Sequence, residues 1–260
     1  MWETLIVNPF TNVLLLIYNL VGQNFGVAII VFTVLIRLIT HPLTAKQIKS
    51  TQAMQELQQS KEWQAIQKKY KDDKEKLGQE QIRLYKEKGI SPFGSCLPTF
   101  IQLPIMLGLY QSVIRALAAS PMQLLVLTRI LWPLPGLSEL IPINSQFLWM
   151  NLGQPERIYI GGIGIPFLAI LVALTTYIQS KVTIPPVTDP NDQSAQMNRS
   201  MALMMPLMMA YFALSFASGL AVYIIVSNLL SLVQYAILGK VYWSNLLPKR
   251  GRPGSSKSEK

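Results

Sequence analysis

Long stretches of this chain contain almost no charged side chains, and this constrains the fold more than any other sequence feature. Between Glu3 and Lys46 the only charged side chain is Arg37, and between Glu156 and Asp189 there are only two. The chain is 50% hydrophobic and 14% charged, whereas soluble proteins average about 25% charged residues. Apolar stretches of roughly 20 residues are typical of membrane-spanning helices. The pattern therefore excludes a soluble enzyme, a disordered tail and, with a single cysteine in the chain, a secreted module held by disulfides.

Five stretches are long enough to cross a bilayer whose hydrocarbon core is about 30 Å thick. The fold class that this pattern predicts is an all-α integral membrane protein. The predicted spans are residues 25–45, 93–118, 163–182, 201–217 and 219–238. The predicted connections are an outer interfacial amphipathic helix at 1–24, a cytosolic helical hairpin at 46–90, an outer loop at 119–162, a cytosolic loop at 183–199 and a basic cytosolic tail at 240–260.

Helix breakers inside these segments predict local irregularities. Besides Pro42 at the inner end of the first span, three further predicted spans contain proline, at positions 98 and 104, 166, and 206, where membrane helices tolerate it and are expected to kink. In the hairpin, residues 72–73 and Gly78 are turn signals near the middle of the segment.

Basic side chains predict the orientation of the spans, because cytoplasmic loops of membrane proteins carry an excess of Lys and Arg. The segment from Lys46 to Lys88 holds eleven basic against seven acidic side chains, and the segment from Lys240 to Lys260 holds six against one. Residues 1–24 hold no Lys or Arg, and the 119–162 loop holds two side chains of each sign. These counts predict a multi-pass protein with its N-terminus outside and its C-terminus in the cytosol.

The common catalytic patterns are absent from the sequence. Intramembrane aspartyl proteases need two carboxylates within the membrane, and no predicted span contains Asp or Glu. A zinc peptidase needs paired histidines, and His41 is the only one. The chain also lacks a P-loop and a dinucleotide-binding glycine pattern. We therefore expect no enzymatic activity, no cofactor and no metal site.

Arg37 is the outlier within the first predicted span. It lies twelve residues after Phe25, which places it about 18 Å along a helix. An arginine at mid-membrane costs roughly 2.5–3.5 kcal/mol on insertion scales, and no span supplies a carboxylate partner. One interpretation is an arginine that snorkels to the cytosolic headgroups. The other, which we favour, is a hydrated cavity open to the cytosol and lined by Arg37, Thr33 and Thr40, which share one helix face.

Polar residues of other spans favour the same cavity. They lie mostly toward the predicted cytosolic half: Gln102, Gln179, Ser227, Asn228 and Gln234. Each one alone is more often a contact between packed helices than a functional group. Five of them together with an unpaired arginine favour a polar site.

The chain contains, in order, the runs FGVAIIVFTVLIRLITHPLTAKQIKSTQAMQELQ, LYKEKGISPFGSCLPTFIQLPIMLGLYQ, FLWMNL, VTDP and SGLAVYIIVSNLLSLVQ. This combination resembles the YidC-type membrane-protein insertases of the Oxa superfamily, in their short form without a large outer domain. The resemblance covers essentially the whole chain. It implies five transmembrane helices around a hydrophilic, positively charged groove that opens to the cytosol and to lipid, with a cytosolic helical hairpin after the first span.

Carried over by position, the resemblance implies which residues line the substrate groove. These are Thr33, Arg37, Gln102, Gln179, Tyr223, Ile224, Ser227 and Asn228. The chain departs from the family pattern at two positions: Gly-Ser replaces Gly-Gly before Cys96, and Ile224 stands where many members have an aromatic residue. The second departure weakens the expectation of an aromatic contact at that position.

The resemblance implies an insertase and chaperone, which moves hydrophobic segments of nascent proteins into the bilayer without ATP. Acidic substrate tails would be attracted to Arg37, and the membrane potential would favour their transfer outward. Two alternatives stay open. A small-solute or ion transporter usually shows inverted repeats, which we do not find in this sequence. A passive assembly scaffold would make Arg37 dispensable.

The predicted partners are nascent membrane proteins, the ribosome, the Sec translocon and anionic lipids, and the predicted location is the bacterial plasma membrane. The tail ends as PKRGRPGSSKSEK, a composition too rich in Gly, Pro and Ser for a packed core. We expect Lys249, Arg250 and Arg252 to contact ribosomal RNA or anionic lipid, since phosphate binding by basic side chains does not depend on sequence. Cytosolic loops are expected to add to the ribosome contact.

Overall fold

The computed structural model describes residues 1–70, 73–90, 97–117, 120–133, 142–183, 193–239, 241–242 and 245, and these residues are mainly helical. A π-helical turn, Glu3–Val7, leads into the first of the helices, which are α1 (Asn8–Leu20), α2 (Phe25–Gln58), α3 (Lys61–Lys69), α4 (Lys74–Glu87), α5 (Leu97–Ala116), α6 (Pro121–Ile130), α7 (Phe167–Thr183), α8 (Gln193–Ser215) and α9 (Ser218–Ile237). Four short strands lie between α6 and α7: β1 (Gln146–Phe147), β2 (Met150–Asn151), β3 (Ile158–Ile160) and β4 (Ile163–Ile165).

The strands are an addition to the predicted all-α fold. β1 pairs antiparallel with β2, and β3 pairs antiparallel with β4, so that each pair is a small hairpin. Both hairpins fall within or next to the predicted outer loop, which also contains α6. The mainly helical fold class is confirmed, and the described part of the predicted outer loop contains a short helix and two hairpins.

Two helices of the described residues, α2 and α9, are each long and apolar enough to cross a membrane. A third candidate combines Gln102–Ala116 of α5 with α6, although the two are bent by 117° from one another. Helix α7 and the Ala202–Ser215 part of α8 are apolar but shorter. The 17 residues of α7 reach about 26 Å at the rise of an α-helix, close to the hydrocarbon thickness of a bilayer. The count of five spans stays a prediction.

Apolar side chains also cover the outward faces of these helices. Leu38 and Ile39 of α2 are 66% and 65% exposed, and Leu207 of α8 and Ile237 of α9 are 70% and 74% exposed. Large exposed apolar surfaces are unusual on soluble monomers and mark membrane or protein interfaces. Because acyl chains are as apolar as these side chains, a bilayer accommodates them without the loss of free energy that water would impose.

Helix α2 extends well beyond the predicted first span. It does not end near residue 45 but continues through Pro42 to Gln58, so the span and the first arm of the hairpin form one helix of 34 residues. Residues 43–58 contain no glycine and no further proline, and nothing in that stretch therefore stops the helix. The helix ends where Ser60 caps α3, its hydroxyl oxygen accepting a 3.2 Å hydrogen bond from the Trp63 amide.

Other boundaries differ from the sequence prediction for similar local reasons. Helix α7 begins at Phe167, because residues 163–165 pair as β4, and Pro166 therefore precedes the helix rather than kinking it. Gly78 lies inside α4 and not in a turn. Helix α8 begins at Gln193, within the predicted 183–199 loop. Of the predicted turn at residues 72–73, Asp73 does separate α3 from α4, and Asp72 lies outside the described residues.

The hairpin is held by a core of its own. Leu57, Trp63, Leu84 and Tyr85 form a small buried cluster that is separate from the main one. The Tyr85 hydroxyl accepts a 3.1 Å hydrogen bond from Gln58, and burial raises the pKa of Tyr85 above its usual value. Because a cluster of four buried side chains removes little apolar area from water, we expect the hairpin to be the least stable part of the described structure.

Ionic contacts and a helix cap complete the hairpin. Lys88 pairs with Glu62 at 2.9 Å and joins the end of α4 to the start of α3. Asp73 caps α4 by accepting a 3.1 Å hydrogen bond from the Lys76 amide, and this bond holds the pKa of the Asp73 carboxyl below its usual value. These contacts are exposed to solvent, so each contributes little to the free energy of unfolding.

The main core packs α9 against α2, α5 and α7, with α1 lying on α2 and α5. Two pairs of positions show the relative direction of α2 and α9. Arg37 is hydrogen-bonded to Ser227, and a Cβ at Gly219 would touch Ile29 at 3.2 Å. In each pair the two residues are 190 positions apart in the chain, so the two helices run parallel and in register. Below, the Phe25 end is the end of the bundle where α2 and α9 begin, and the Gln47 end is the opposite one.

The loop around β1 and β2 closes the Phe25 end. The first amides of α9 have no partner within their own helix, and here the Ser218 amide donates to the Gln154 carbonyl at 2.8 Å and the Gly219 amide to the Leu152 carbonyl at 3.0 Å. The Phe147 ring lies directly over Gly26 of α2, where a Cβ would come within 2.1 Å of it. Phe25 and Phe32 of α2 are buried in the main core next to this loop end of the bundle.

We predict that Gly26→Ala destabilises the fold, because the added methyl group would collide with the Phe147 ring. The free energy of unfolding should fall by about 1–3 kcal/mol, as for other overpacked cores, measured by thermal unfolding in detergent. Gly78→Ala is the matched control. Gly78 lies in α4 with nothing within 4 Å of a built Cβ, so alanine there should leave the melting temperature unchanged or raise it. Equal effects of the two substitutions would contradict the close packing of Phe147 on α2.

Candidate functional site

A stripe of polar side chains runs along one face of α2. Its members follow each other at intervals of three or four residues, which places them on the same side of an α-helix. We call this set the polar stripe, and it consists of Thr33, Arg37, Thr40, Thr44 and Gln47. The three threonine hydroxyls donate to carbonyls four residues earlier at 2.6–2.9 Å, so they are satisfied without a partner from another helix.

Arg37 reaches across to α9. Its Nη2 donates to the Ser227 carbonyl at 3.1 Å, and among the described residues no carboxylate pairs with it. A backbone carbonyl supplies one acceptor, whereas a guanidinium carries five N–H donors. The charge therefore needs further polar neighbours or water in order to lie inside an apolar bundle.

Helices α5 and α9 supply those polar neighbours. Gln102 of α5 donates a short hydrogen bond from its Nε2 to the hydroxyl of Tyr223 on α9. Tyr223 is itself buried, with 2% of its surface exposed. The pair joins the two helices across the site and presents an amide and a hydroxyl toward the arginine side.

A cavity of about 50 Å³ lies between these three helices. Its volume accommodates a few water molecules, and its lining offers several hydrogen-bonding groups to hold them. The lining residues are Thr33, Ile36, Arg37, Thr40, Thr44, Gln47, Gln102, Ile105, Tyr223 and Ser227. Thr33, nearest the Phe25 end, is fully buried, whereas Arg37, Thr40 and Thr44 are partly exposed. The cavity is thus closed toward the Phe25 end and more accessible beside Arg37, Thr40 and Thr44, whereas Gln47 beyond them is buried.

The structure brings five of the eight sequence-predicted groove residues together at this cavity. They are Thr33, Arg37, Gln102, Tyr223 and Ser227. The other three lie elsewhere. Asn228 donates from its Nδ2 to the Thr176 hydroxyl at 2.9 Å and so joins α9 to α7, Ile224 is buried in the main core, and Gln179 lies partly exposed on α7. Lys249, Arg250 and Arg252 fall outside the described residues.

Sequence reasoning missed four lining residues, Ile36, Thr44, Gln47 and Ile105. Two of them had a signal. Thr44 and Gln47 continue the spacing of Thr33, Arg37 and Thr40 beyond the predicted end of the first span at residue 45. Extending the helical period past that boundary would have found them. The apolar pair carried no signal, since only the packing of α5 on α9 decides which apolar side chains meet the cavity.

The arrangement can hold a positive charge and water inside an apolar bundle. Comparison with known proteins relates the chain to a family. The model of the family described as 60Kd inner membrane protein matches residues 16–244. The chain belongs to this family. The match spans all the helices that line the cavity, so the site lies within the part that the family shares.

Curated relatives are similar over nearly the whole chain. A protein of Bacillus anthracis named membrane protein insertase YidC 2 is 34% identical over 92% of this chain and 81% of its own length. A Listeria innocua protein of the same name is 36% identical, over 93% and 73%. Membrane protein insertase MisCA of Bacillus subtilis is 33% identical, over 90% and 77%. The chain is therefore similar to bacterial proteins that are named membrane protein insertases.

We predict that water reaches Arg37 from the Gln47 end of the bundle. In a Cys96→Ser background, Arg37→Cys should react with a membrane-impermeant maleimide supplied on that side, because the partly exposed cavity admits solvent there. Thr33→Cys is the control, since Thr33 is fully buried on the same face of the same helix. Labelling of position 37 from the Phe25 side, or equal labelling of both positions, would contradict a cavity closed at the Phe25 end.

Proposed function

We propose that the chain is a membrane protein insertase of the bacterial plasma membrane, acting on nascent membrane proteins. The observation that carries the proposal is the unpaired Arg37 in a polar cavity that is closed at the Phe25 end. A pore or a channel for solutes would need a path through that end, and the loop around β1 and β2 blocks it. The names of the relatives support the same activity.

The proposal includes five spans, with the Phe25 end on the outside and the Gln47 end in the cytosol. The excess of basic residues in the hairpin and in the tail supports this orientation, because both segments then lie in the cytosol. It also places the strands and α6 outside, where Trp132, Trp149 and Tyr159 are exposed as interfacial aromatic side chains are. The cavity then opens to the side from which substrates arrive.

The cavity is proposed to form part of a groove that receives the polar tail of a substrate. Water and polar side chains between α2, α5 and α9 shorten the apolar distance that such a tail must cross. Acidic groups in the tail would be drawn to Arg37, and a membrane potential adds about 2.3 kcal/mol per charge for every 100 mV. The hydrophobic segment that follows gains free energy on entering lipid. These terms need no ATP.

Two other functions remain weaker. A passive scaffold does not require an arginine inside the bundle, where its presence costs free energy. A solute transporter needs access from both sides of its site, and the closure of the Phe25 end by Phe147 and the Leu152 carbonyl opposes this. Neither alternative accounts for the asymmetric cavity.

We predict that Arg37→Ala reduces insertion selectively. In proteoliposomes with an imposed membrane potential, the loss should be about tenfold or more for substrates with an acidic tail, since one charge-assisted contact is worth about 1.5–3 kcal/mol. Substrates with the same hydrophobic segment and a neutral tail are the control and should lose much less. Arg37→Lys should keep most activity in both cases because it keeps the charge. A normally folded lysine variant without activity would show that the geometry of the guanidinium is required.

The proposed partners also include the ribosome, anionic lipids and the Sec translocon. We predict that truncation after Val241 removes Lys249, Arg250 and Arg252 and weakens co-sedimentation with ribosomes, because these side chains would bind phosphate. Binding by the full chain should fall steeply with salt. The topology should stay unchanged in the truncated protein, since the hairpin still supplies positive charge. Ribosome binding that is unaltered by the truncation would leave the tail with lipid as its only partner.

A further inference from the structure

Gln47 is the member of the polar stripe whose hydrogen bonding is incomplete. Its side chain lines the cavity, only 6% of its surface is exposed, and its Nε2 has no hydrogen-bond partner. A buried amide without a partner destabilises a fold, and most buried polar groups in proteins are paired. Five such atoms occur among the described residues, and the one on Gln47 lies where the cavity is proposed to receive substrate, which points to a partner that arrives with the ligand.

A second buried amide without a partner lies on α9, outside the residues that line the cavity. Gln234 is 7% exposed, and its Nε2 also lacks a hydrogen-bond partner. It follows Tyr223 and Ser227 by eleven and seven residues, a spacing that places all three on one face of the helix. In the parallel register of α2 and α9, Gln234 stands level with Thr44, next to the turn that carries Gln47.

We propose that Gln47 and Gln234 bind the peptide backbone of an extended polar segment, the tail that a substrate passes into the groove. A side-chain amide carries one carbonyl and one N–H₂ group and is thus complementary to a peptide group in either orientation. A helical segment already uses its own peptide groups in internal hydrogen bonds, so only an extended segment can offer them. The identity of the substrate rests on the proposed function. The observation that both amides lack a hydrogen-bond partner does not depend on it.

Arg37 and the two amides then recognise different features of the substrate tail. The arginine distinguishes tails by charge, whereas an amide that binds peptide groups accepts tails of any sequence. Gln47 lies 22 residues after Phe25, which is about 33 Å along α2 and roughly 15 Å beyond Arg37. In the proposed orientation it stands at the cytosolic mouth of the cavity, where a tail would meet it before reaching the charge.

The test compares three glutamines of this protein. Gln47→Met and Gln234→Met remove the amides at nearly constant length, and Gln47→Leu is a second variant should methionine pack poorly. Gln52→Met is the matched control, because Gln52 is 5% exposed and has an unpartnered Nε2 on the same helix. Five residues from Gln47, it points about 140° away around the helix and so lies off the face that carries the polar stripe.

Three measurements are made on the full chain in nanodiscs or proteoliposomes: the melting temperature, binding of a labelled Ser/Gly-rich peptide, and insertion of substrates with neutral and with acidic tails. Each of the three methionine variants should melt at or above the wild-type temperature, because an unsatisfied buried amide has been removed. Gln47→Met and Gln234→Met should each weaken peptide binding and insertion by about three- to tenfold, the effect of one lost neutral hydrogen bond. The loss should be equal for both tails, and Gln52→Met should lose neither property.

The outcomes separate this inference from the proposed function. If the wild-type protein binds the peptide but inserts no substrate, the proposed function is wrong and the backbone-binding site is still supported. Insertion and peptide binding at wild-type level in the Gln47 and Gln234 variants would overturn the site, with the function intact. A loss confined to one tail composition would also overturn it, because side chains rather than the backbone would then be recognised. A lowered melting temperature that accounts for the lost binding would assign both amides to packing.

Discussion

The hydrogen bond from Arg37 to the Ser227 carbonyl is the interaction on which the arrangement of this bundle depends. An arginine among apolar helices is stable only where acceptors or water surround it, and the sequence provides no carboxylate in any predicted span. The polar stripe, the pair formed by Gln102 and Tyr223, and the cavity between them meet that requirement together. They can do so because α2 and α9 run parallel in register, so that polar positions on one helix stay level with polar positions on the other.

The asymmetry of the cavity has a structural cause in the backbone of α9. A helix that begins inside a protein leaves its first amides without partners, and here the carbonyls of Leu152 and Gln154 accept them. The loop that supplies these carbonyls also places Phe147 over Gly26. One segment therefore satisfies the helix terminus and seals the bundle. Toward the Gln47 end, Thr40 and Thr44 remain partly exposed, although Gln47 itself is buried.

The sequence predicted which polar residues share one face of a helix and which helices are apolar. It predicted less well which faces of those helices pack against each other. Arg37 and Thr33 followed from the helical period of a single segment, which is a local property. Asn228 is adjacent to Ser227 in the chain, but one residue is a turn of about 100° on a helix, and this rotates Asn228 toward Thr176 of α7 instead of the cavity. The strands escaped prediction because their pairs are only two or three residues long, too short for a period of two to be recognised.

The continuity of α2 connects the cavity to the hairpin mechanically. The helix has 34 residues and is thus about 51 Å long, whereas a hydrocarbon core is about 30 Å thick. In the proposed orientation, about 20 Å of the same helix projects beyond the hydrocarbon core, and Leu57 near its end belongs to the small core of the hairpin. The polar stripe of the same helix runs from Gln47 back to Arg37 and Thr33. Pro42 lies inside α2 between Arg37 and Gln47, where a proline removes one backbone hydrogen bond of the helix and favours a kink. A bend at this position tilts the first arm of the hairpin while Thr33 and Arg37 keep their places against α9.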